Sequence, residues 1–198
     1  VALAHRQPGS AIKPFVYAAA FKKGFSPDTI VFDVQTEFNP SCLDKYATST
    51  QSSSSSADLS ADEAECYMPE NYDHNYRGPV TLRDGLAQSL NVPSVKTLYL
   101  AGISASLDTM KDMGIDSLTD PDRYGLTLVL GGGEVSLLEM TGAYAVLANN
   151  GVRNPPVGIL KVEDKSGNIL EEYRDDSKQV LDKNIALTIS DVLSDNKA

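Results

Sequence analysis

The stretch Arg6-Gln7-Pro8-Gly9-Ser10-Ala11-Ile12-Lys13-Pro14-Phe15 constrains this chain more than any other. Pro8-Gly9 makes a rigid turn, because glycine reaches backbone angles that other residues resist. It delivers Ser10 to the start of an apolar helical run, where hydroxyl residues are favoured. Lys13 lies three positions on and emerges on the same helix face. Pro14 comes early enough for its missing N–H to cost little. A serine hydroxyl is a weak nucleophile until a neighbouring base takes its proton. A lysine can be that base only when neutral. From about 10.4 its pKa must fall by roughly three units, or roughly 4 kcal/mol, to work near pH 7. Burial supplies such a shift, and Ala11, Ile12, Phe15 and Val16 make the surroundings apolar. The plain alternative is a capping serine beside a solvated lysine. Ser194-Asp195-Asn196-Lys197 shows the same spacing in a polar tail.

A second signal lies in residues 68–91. Pro69, Asn71, Gly78 and Pro79 mark a loop, and Thr81 can cap a helix through Leu82, Leu86 and Ala87. That helix should end at Ser89-Leu90-Asn91, since Pro93 disfavours helical geometry at Val92. Ser89 and Asn91 are then expected at a helix–helix junction, where side chains can turn into a cleft. Ser-x-Asn alone is weak, because Ser166-Gly167-Asn168 and Ser194-Asp195-Asn196 match it too.

The wording around these residues is more specific than the spacing. Arg-Gln-Pro-Gly-Ser-x-x-Lys-Pro-Phe-Val-Tyr resembles the first active-site motif of the class A penicillin-binding proteins, the bifunctional cell-wall synthases. Gly-Pro-Val-Thr-Leu-Arg and Leu-Ala-Gln-Ser-Leu-Asn-Val-Pro-Ser-Val-Lys resemble their second motif region. The motif set is shared with serine β-lactamases. The resemblance implies an α/β (α+β) transpeptidase fold of the penicillin-binding protein and serine β-lactamase type, a mostly helical subdomain beside part of an antiparallel sheet. It implies a D,D-transpeptidase that cross-links peptidoglycan and binds β-lactams. Ser10 would be the nucleophile and Lys13 its base. Ser89 would relay a proton to the leaving group. Asn91 would bind the substrate's peptide carbonyl. No metal or organic cofactor is implied. The partners would be a D-Ala-D-Ala donor stem, an acceptor amine and β-lactams. A carboxypeptidase or β-lactamase-type hydrolase of the same superfold stays open, as does a non-catalytic binding module; transfer to an amine rather than to water separates the enzymes.

Size and charge fit this reading. The 198 residues can hold one domain with a real core. A net charge of -10 argues against a nucleic-acid surface, which needs Lys and Arg. No apolar run approaches the ~18–20 residues of a membrane span, and no signal peptide opens the chain. Only nine residues precede Ser10, so the chain reads as residues 1–198 of a partial transpeptidase domain. The N-terminal strands and the family's third, Lys-Thr-Gly-type strand are expected to be missing. Lys165-Ser166-Gly167 is rejected as that motif, being turn residues at a hairpin tip. Because the third motif supplies one oxyanion donor, worth ~10²–10³ in rate, poor acylation is expected of the chain alone. An open sheet edge would invite pairing with a second copy. The parent is expected to be extracytoplasmic, anchored through a segment outside this chain and joined to a glycosyltransferase domain.

The remaining elements follow from pattern. Helices are expected over 10–23, 94–101, 104–113, from 136 to about 150, and over 183–193, the last capped by Asp182. Residues 30–38 should be extended, and 157–163 and 169–173 should form a hairpin. Ser136-Leu137-Leu138-Glu139 matches a capping box. Gly131-Gly132-Gly133 reads as a tight turn, since it lacks the Lys and hydroxyl of a phosphate loop. Residues 43–66 carry the serine run 52–56 and read as a loop insertion. Cys42 and Cys66, the only cysteines, bracket it. They point to a disulfide worth roughly 3 kcal/mol in the chain-entropy model and to an oxidising compartment; two unrelated buried thiols are the alternative. His5 and His74 have no companions at metal-ligand spacing.

Overall fold

The computed structural model describes residues 2–42 and 66–195. The serine-rich stretch therefore lies outside the described residues, apart from Cys66.

The chain is organised on α1 (Lys13–Lys22), whose residues from Lys13 to Phe21 are all buried. A helix apolar on every side must be enclosed. Around it pack α3 (Asn91–Ala101), α4 (Ile103–Asp112) and α7 (Lys183–Leu193). Phe15, Val16 and Tyr17 fill the centre, each worth about 1.5–3 kcal/mol of burial for a large side chain. Ala19 and Ala20 meet Ala101, small residues that let two backbones approach. The short α2 (Leu82–Ala87) is capped by Thr81, whose hydroxyl accepts from the Asp84 N–H. Arg83 on α2 reaches Asp191 and, at 3.1 Å, Asp195, tying α2 to the end of α7. The four-residue helix α5 (Pro121–Tyr124) leads into a 3₁₀ segment, Gly125–Leu130. α6 (Leu137–Ala148) opens on the predicted capping box of Ser136 and Glu139, and Asp182 caps α7.

Among the described residues the strands pair in twos, all antiparallel. β1 (His5–Arg6) pairs with β4 (Val135–Ser136), and β2 (Ile30–Asp33) with β3 (Gly78–Thr81). β5 (Val152–Arg153) pairs with β8 (Lys178–Gln179), and β6 (Lys161–Glu163) with β7 (Ile169–Glu172), the predicted hairpin.

The strands expected over 30–38 and 157–163 form only at 30–33 and 161–163, and two helix starts differ by three residues from expectation, both at prolines. Residues 9–12 form a 3₁₀ turn rather than the first turn of an α-helix. An α-helical bond to the Ser10 carbonyl would have to come from residue 14, and Pro14 has no N–H. The Lys13 N–H takes that carbonyl instead. The second helix after the junction begins at Asn91 rather than 94 and runs through Pro93. Proline is tolerated in a first turn, where its N–H would have had no intrahelical partner.

Cys42 and Cys66 are joined by a disulfide, with their Cα atoms 5.7 Å apart.

Candidate active site

Ser10 sits in the 3₁₀ turn that Pro14 enforces. Three residues per turn place side chains at i and i+3 above one another, so Ser10 and Lys13 share a side. The turn is held on two faces. On one, Gly131 at φ +87° lies so close to Gly9 that a Cβ there would overlap the Gly9 backbone. On the other, the Tyr144 hydroxyl of α6 donates to the Ala11 carbonyl at 3.0 Å, while its ring meets Phe15 edge-on at 5.1 Å. The glycine run read as a tight turn thus also seats the Ser10 turn. A long-range approach of two glycine backbones leaves no signal in either local sequence.

Lys13 is 1% exposed. Its Nζ donates to the Ser89 carbonyl at 2.7 Å, to Asn91 Oδ1 at 2.9 Å and to Ser89 Oγ at 3.2 Å, with the Leu90 carbonyl at 3.4 Å. Every one of these partners is a neutral oxygen, and Lys13 forms no ion pair among the described residues. Loss of hydration is therefore not offset by a counter-charge, and burial pulls the amine's pKa down to about 8. At pH 7 a group of that pKa is neutral in about one molecule in ten.

Ser89 reaches Lys13 through an uncommon backbone. It follows α2 at φ +55°, the left-handed position that ends many helices and usually belongs to glycine. The Ser89 N–H donates to the Leu86 carbonyl at 3.0 Å and the Leu90 N–H to the Gly85 carbonyl at 2.9 Å, the two bonds of a Schellman ending. The reversal aims both the carbonyl and the hydroxyl of Ser89 at the amine. Asn91, first residue of α3, is oriented by its network: Oδ1 faces Lys13 and Nδ2 donates to the Glu70 carbonyl at 2.8 Å. An amide carries two N–H donors, so one remains for a ligand.

The structure thus joins Lys13, Ser89 and Asn91 directly. Ser10 is exposed, and its hydroxyl makes no hydrogen bond among the described residues. It lies three residues before Lys13, in the 3₁₀ turn whose Ser10 carbonyl accepts from the Lys13 N–H. A groove of about 570 Å³ runs behind the turn, lined by Gln7, Pro8, Ala11, Met140 and Tyr144 among others. Ser10, Lys13 and Ser89 do not line it, so it is assigned no chemistry. Ser166 and Asn168 lie in the exposed β6–β7 turn, where their N–H groups donate to Asp164.

Comparison with known proteins places the chain bearing this arrangement in a family. A family model described as the penicillin-binding protein transpeptidase domain matches residues 61–197. The chain belongs to this family, as the transpeptidase domain of a class A penicillin-binding protein. It is 34% identical over 192 residues to penicillin-binding protein 2D of Bacillus subtilis, covering 96% of this chain and 24% of that protein. To penicillin-binding protein 1A of Aquifex aeolicus it is 36% identical over 179 residues, covering 90% of this chain and 21% of that one. Among solved structures, penicillin-binding protein 1A from Haemophilus influenzae matches with a TM-score of 0.73 at 25% identity, over 96% of this chain and 29% of its own. PonA1 from Mycobacterium tuberculosis, in complex with penicillin V, matches in fold with a TM-score of 0.74 at 22% identity, over 96% of this chain and 47% of its own. The chain spans about a quarter of the length of these curated relatives. The family model starts after Ser10 and Lys13, whereas the alignments with the relatives cover almost the whole chain.

Proposed function

We propose that the chain is the serine-bearing part of a D,D-transpeptidase that cross-links peptidoglycan. The observation that carries the reading is Lys13: a buried amine without a counter-ion, held on Ser89 and Asn91, one 3₁₀ turn from an exposed serine. In its neutral form Lys13 takes the Ser10 proton as Ser10 Oγ attacks the carbonyl carbon between two D-Ala residues. The free N–H of Asn91 holds the donor stem's peptide carbonyl. The Ser89 hydroxyl accepts from Lys13 and donates onward, carrying the proton to the departing D-Ala amine. An acceptor amine then displaces Ser10 from the acyl-enzyme, giving its proton back along the same path. A β-lactam opened by Ser10 would remain attached, because its leaving group stays tethered. The disulfide supports an oxidising site outside the cytoplasm. No helix among the described residues is long and apolar enough to cross a membrane; a membrane anchor and a glycosyltransferase domain are part of the same proposal for the parent protein.

Labelling with a reporter penicillin tests this. Label should appear on Ser10 in the full-length protein and vanish in Ser10→Ala. The same comparison on residues 1–198 and on a form extended through a Lys-Thr-Gly-type strand measures what that strand adds. Label on Ser10→Ala, or none on the full-length protein, overturns the reading. Transfer to water instead of an added amine would make the enzyme a carboxypeptidase-type hydrolase.

A further inference from the structure

Behind the cluster lies a buried pair that the acyl-transfer chemistry does not use. Asp33, at the end of β2, is wholly buried, and Asn71, in the segment before β3, is 2% exposed. Asn71 Nδ2 donates to both carboxylate oxygens of Asp33, at 2.8 and 2.9 Å, and to the Asn75 carbonyl at 2.8 Å. Its Oδ1 accepts from the backbone N–H groups of Asn91 at 2.9 Å and Val92 at 3.2 Å. A carboxylate can only accept, so the amide's orientation is fixed by its partners.

We propose that Asn71 is a positioning residue for the acyl-transfer centre, a neutral adaptor that caps α3 from a distant segment while keeping the Asp33 charge off Asn91, the residue that holds Lys13. The proposal rests on the function argued above. Its first ground is the start of α3. Leu90, in the capping position, makes no side-chain cap, and Pro93 has no N–H. The N–H groups of Asn91 and Val92 would be left without partners were it not for an amide twenty residues upstream. Capping by this amide fixes the backbone of Asn91, and with it the direction in which Oδ1 meets Lys13.

The second ground is charge. An aspartate in place of Asn71 would cap a helix as well, since carboxylates suit helix N-termini. It would also bring a negative charge to the residue that binds Lys13, and an opposite charge within about 4–6 Å favours the ammonium. Asn71 delivers the cap without the charge. The charge of Asp33 is answered elsewhere. The Arg77 N–H donates to it at 3.0 Å, and the Arg77 guanidinium lies 3.8 Å away. Lys96 of α3 also feels this carboxylate, although its amine bonds the Phe32 carbonyl at 2.5 Å. Among the described residues, two further titratable groups of these segments have partners of their own. The Glu70 carboxylate is on His74 at 2.6 Å, and the Tyr17 hydroxyl is on Ser94 at 3.2 Å.

Two variants of the full-length protein test the proposal. The exchange Asp33→Asn with Asn71→Asp keeps one amide, one carboxylate and the cap, but moves the charge to α3. Asn71→Ala removes the cap. Ser10 acylation by a fluorescent penicillin is followed from pH 6 to 10, and Lys13 is titrated separately through its ¹³Cε resonance in labelled protein. The exchange should raise the midpoint of both profiles by about one pH unit or more, as expected for a new opposite charge. Asn71→Ala should lower the plateau rate by about 10²-fold, the scale of an ångström-sized misplacement. If the exchange leaves both midpoints in place, or Asn71→Ala keeps its plateau rate within about twofold, the proposal falls. If the unsubstituted protein is never acylated, the function reading fails instead, while the Lys13 resonance still reports whether Asn71 shields the amine.

Discussion

Two Ser-x-Asn stretches sit at chain reversals in this molecule, and they have almost nothing else in common. Ser89-Leu90-Asn91 joins two buried helices, and each of its polar ends is engaged with Lys13. Ser166-Gly167-Asn168 tips the exposed β6–β7 hairpin, and its bonds close on the neighbouring Asp164, whose Oδ1 accepts from the Ser166 and Asn168 N–H groups at 2.8 Å each. Both reversals need a left-handed residue. The hairpin gives that position to Gly167 at φ +83°, where it costs nothing. The helix junction gives it to Ser89 at φ +55°, where an L side chain costs of order 1–2 kcal/mol. Strain is tolerated where a side chain must point at a partner and avoided where only a turn is required. The same contrast separates the lysines: Lys13 is sealed among neutral oxygens, whereas Lys165 lies in the exposed turn.

The largest expected effect breaks the chemistry at the buried lysine. Lys13→Met should cut Ser10 acylation by about 10²–10⁴-fold, the usual worth of a general base, whereas Lys165→Met should leave it unchanged. Stability gives an independent reading. The folded pKa, about 8, lies below the unfolded 10.5, so the unfolded state binds more protons between those values. Stability must then rise with pH across that window. Below pH 8 the folded state bears the full cost of a buried charge, of order 3 kcal/mol. Above 10.5 both states are neutral. Denaturant unfolding at pH 7.5 to 10.5 should show this rise in the unsubstituted protein, and the difference from Lys13→Met isolates it from other groups titrating there. A flat difference would mean that Lys13 is not the depressed base.

Next in size is the seat of Ser10. Gly131→Ala places a methyl on the Gly9 backbone. Backbone cannot step aside as a side-chain tip can, so the Ser10 turn must move. Acylation should drop by about 10²-fold, with a loss of about 2 kcal/mol or more in stability, since φ > 0 is also penalised. Gly167→Ala meets open space at a similar φ; it should cost about 1 kcal/mol and no activity. Equal loss of acylation in both would show that general destabilisation, not the contact with Gly9, is being measured.

What could be read from sequence was what is close in sequence. Thr81, Ser136 with Glu139, and Asp182 announce helix starts because a cap acts within three residues. Ser10 with Lys13, and Ser89 with Asn91, are legible as pairs because each spans a single turn. Their meeting across 76 positions was indicated only by the family resemblance, not by spacing. Gly131 under Gly9, and Asp33 beneath Asn71 across 38 positions, left no local signal, since a glycine or asparagine in a loop has an adequate local explanation as a turn residue. The two misplaced helix boundaries share one cause. A proline stands at each: the missing N–H of Pro14, expected to cost little, diverts the Ser10 carbonyl to Lys13, and Pro93, expected to bar helix at Val92, sits harmlessly in the first turn of α3.

The smallest expected effect sharpens the opening contrast most. Ser89→Gly keeps the helix ending and relieves the left-handed strain, so the protein should gain up to about 1 kcal/mol in denaturant unfolding. The gain is offset in part by the greater freedom of glycine in the unfolded chain, and by loss of the hydroxyl that accepts from Lys13. The Ser89 carbonyl, the shortest contact of the amine, survives the change. Lys13 should therefore keep its depressed pKa while acylation falls by about 10²-fold, the low end for a proton-transferring group. Ser166→Ala, at the other reversal, should alter neither by more than about 0.5 kcal/mol in stability. A Ser89→Gly protein that is no less stable yet slow to acylate would establish that the strain at this junction is kept for the hydroxyl. One that acylates at the full rate would reduce Ser89 to a helix ending, chemically no different from its exposed counterpart.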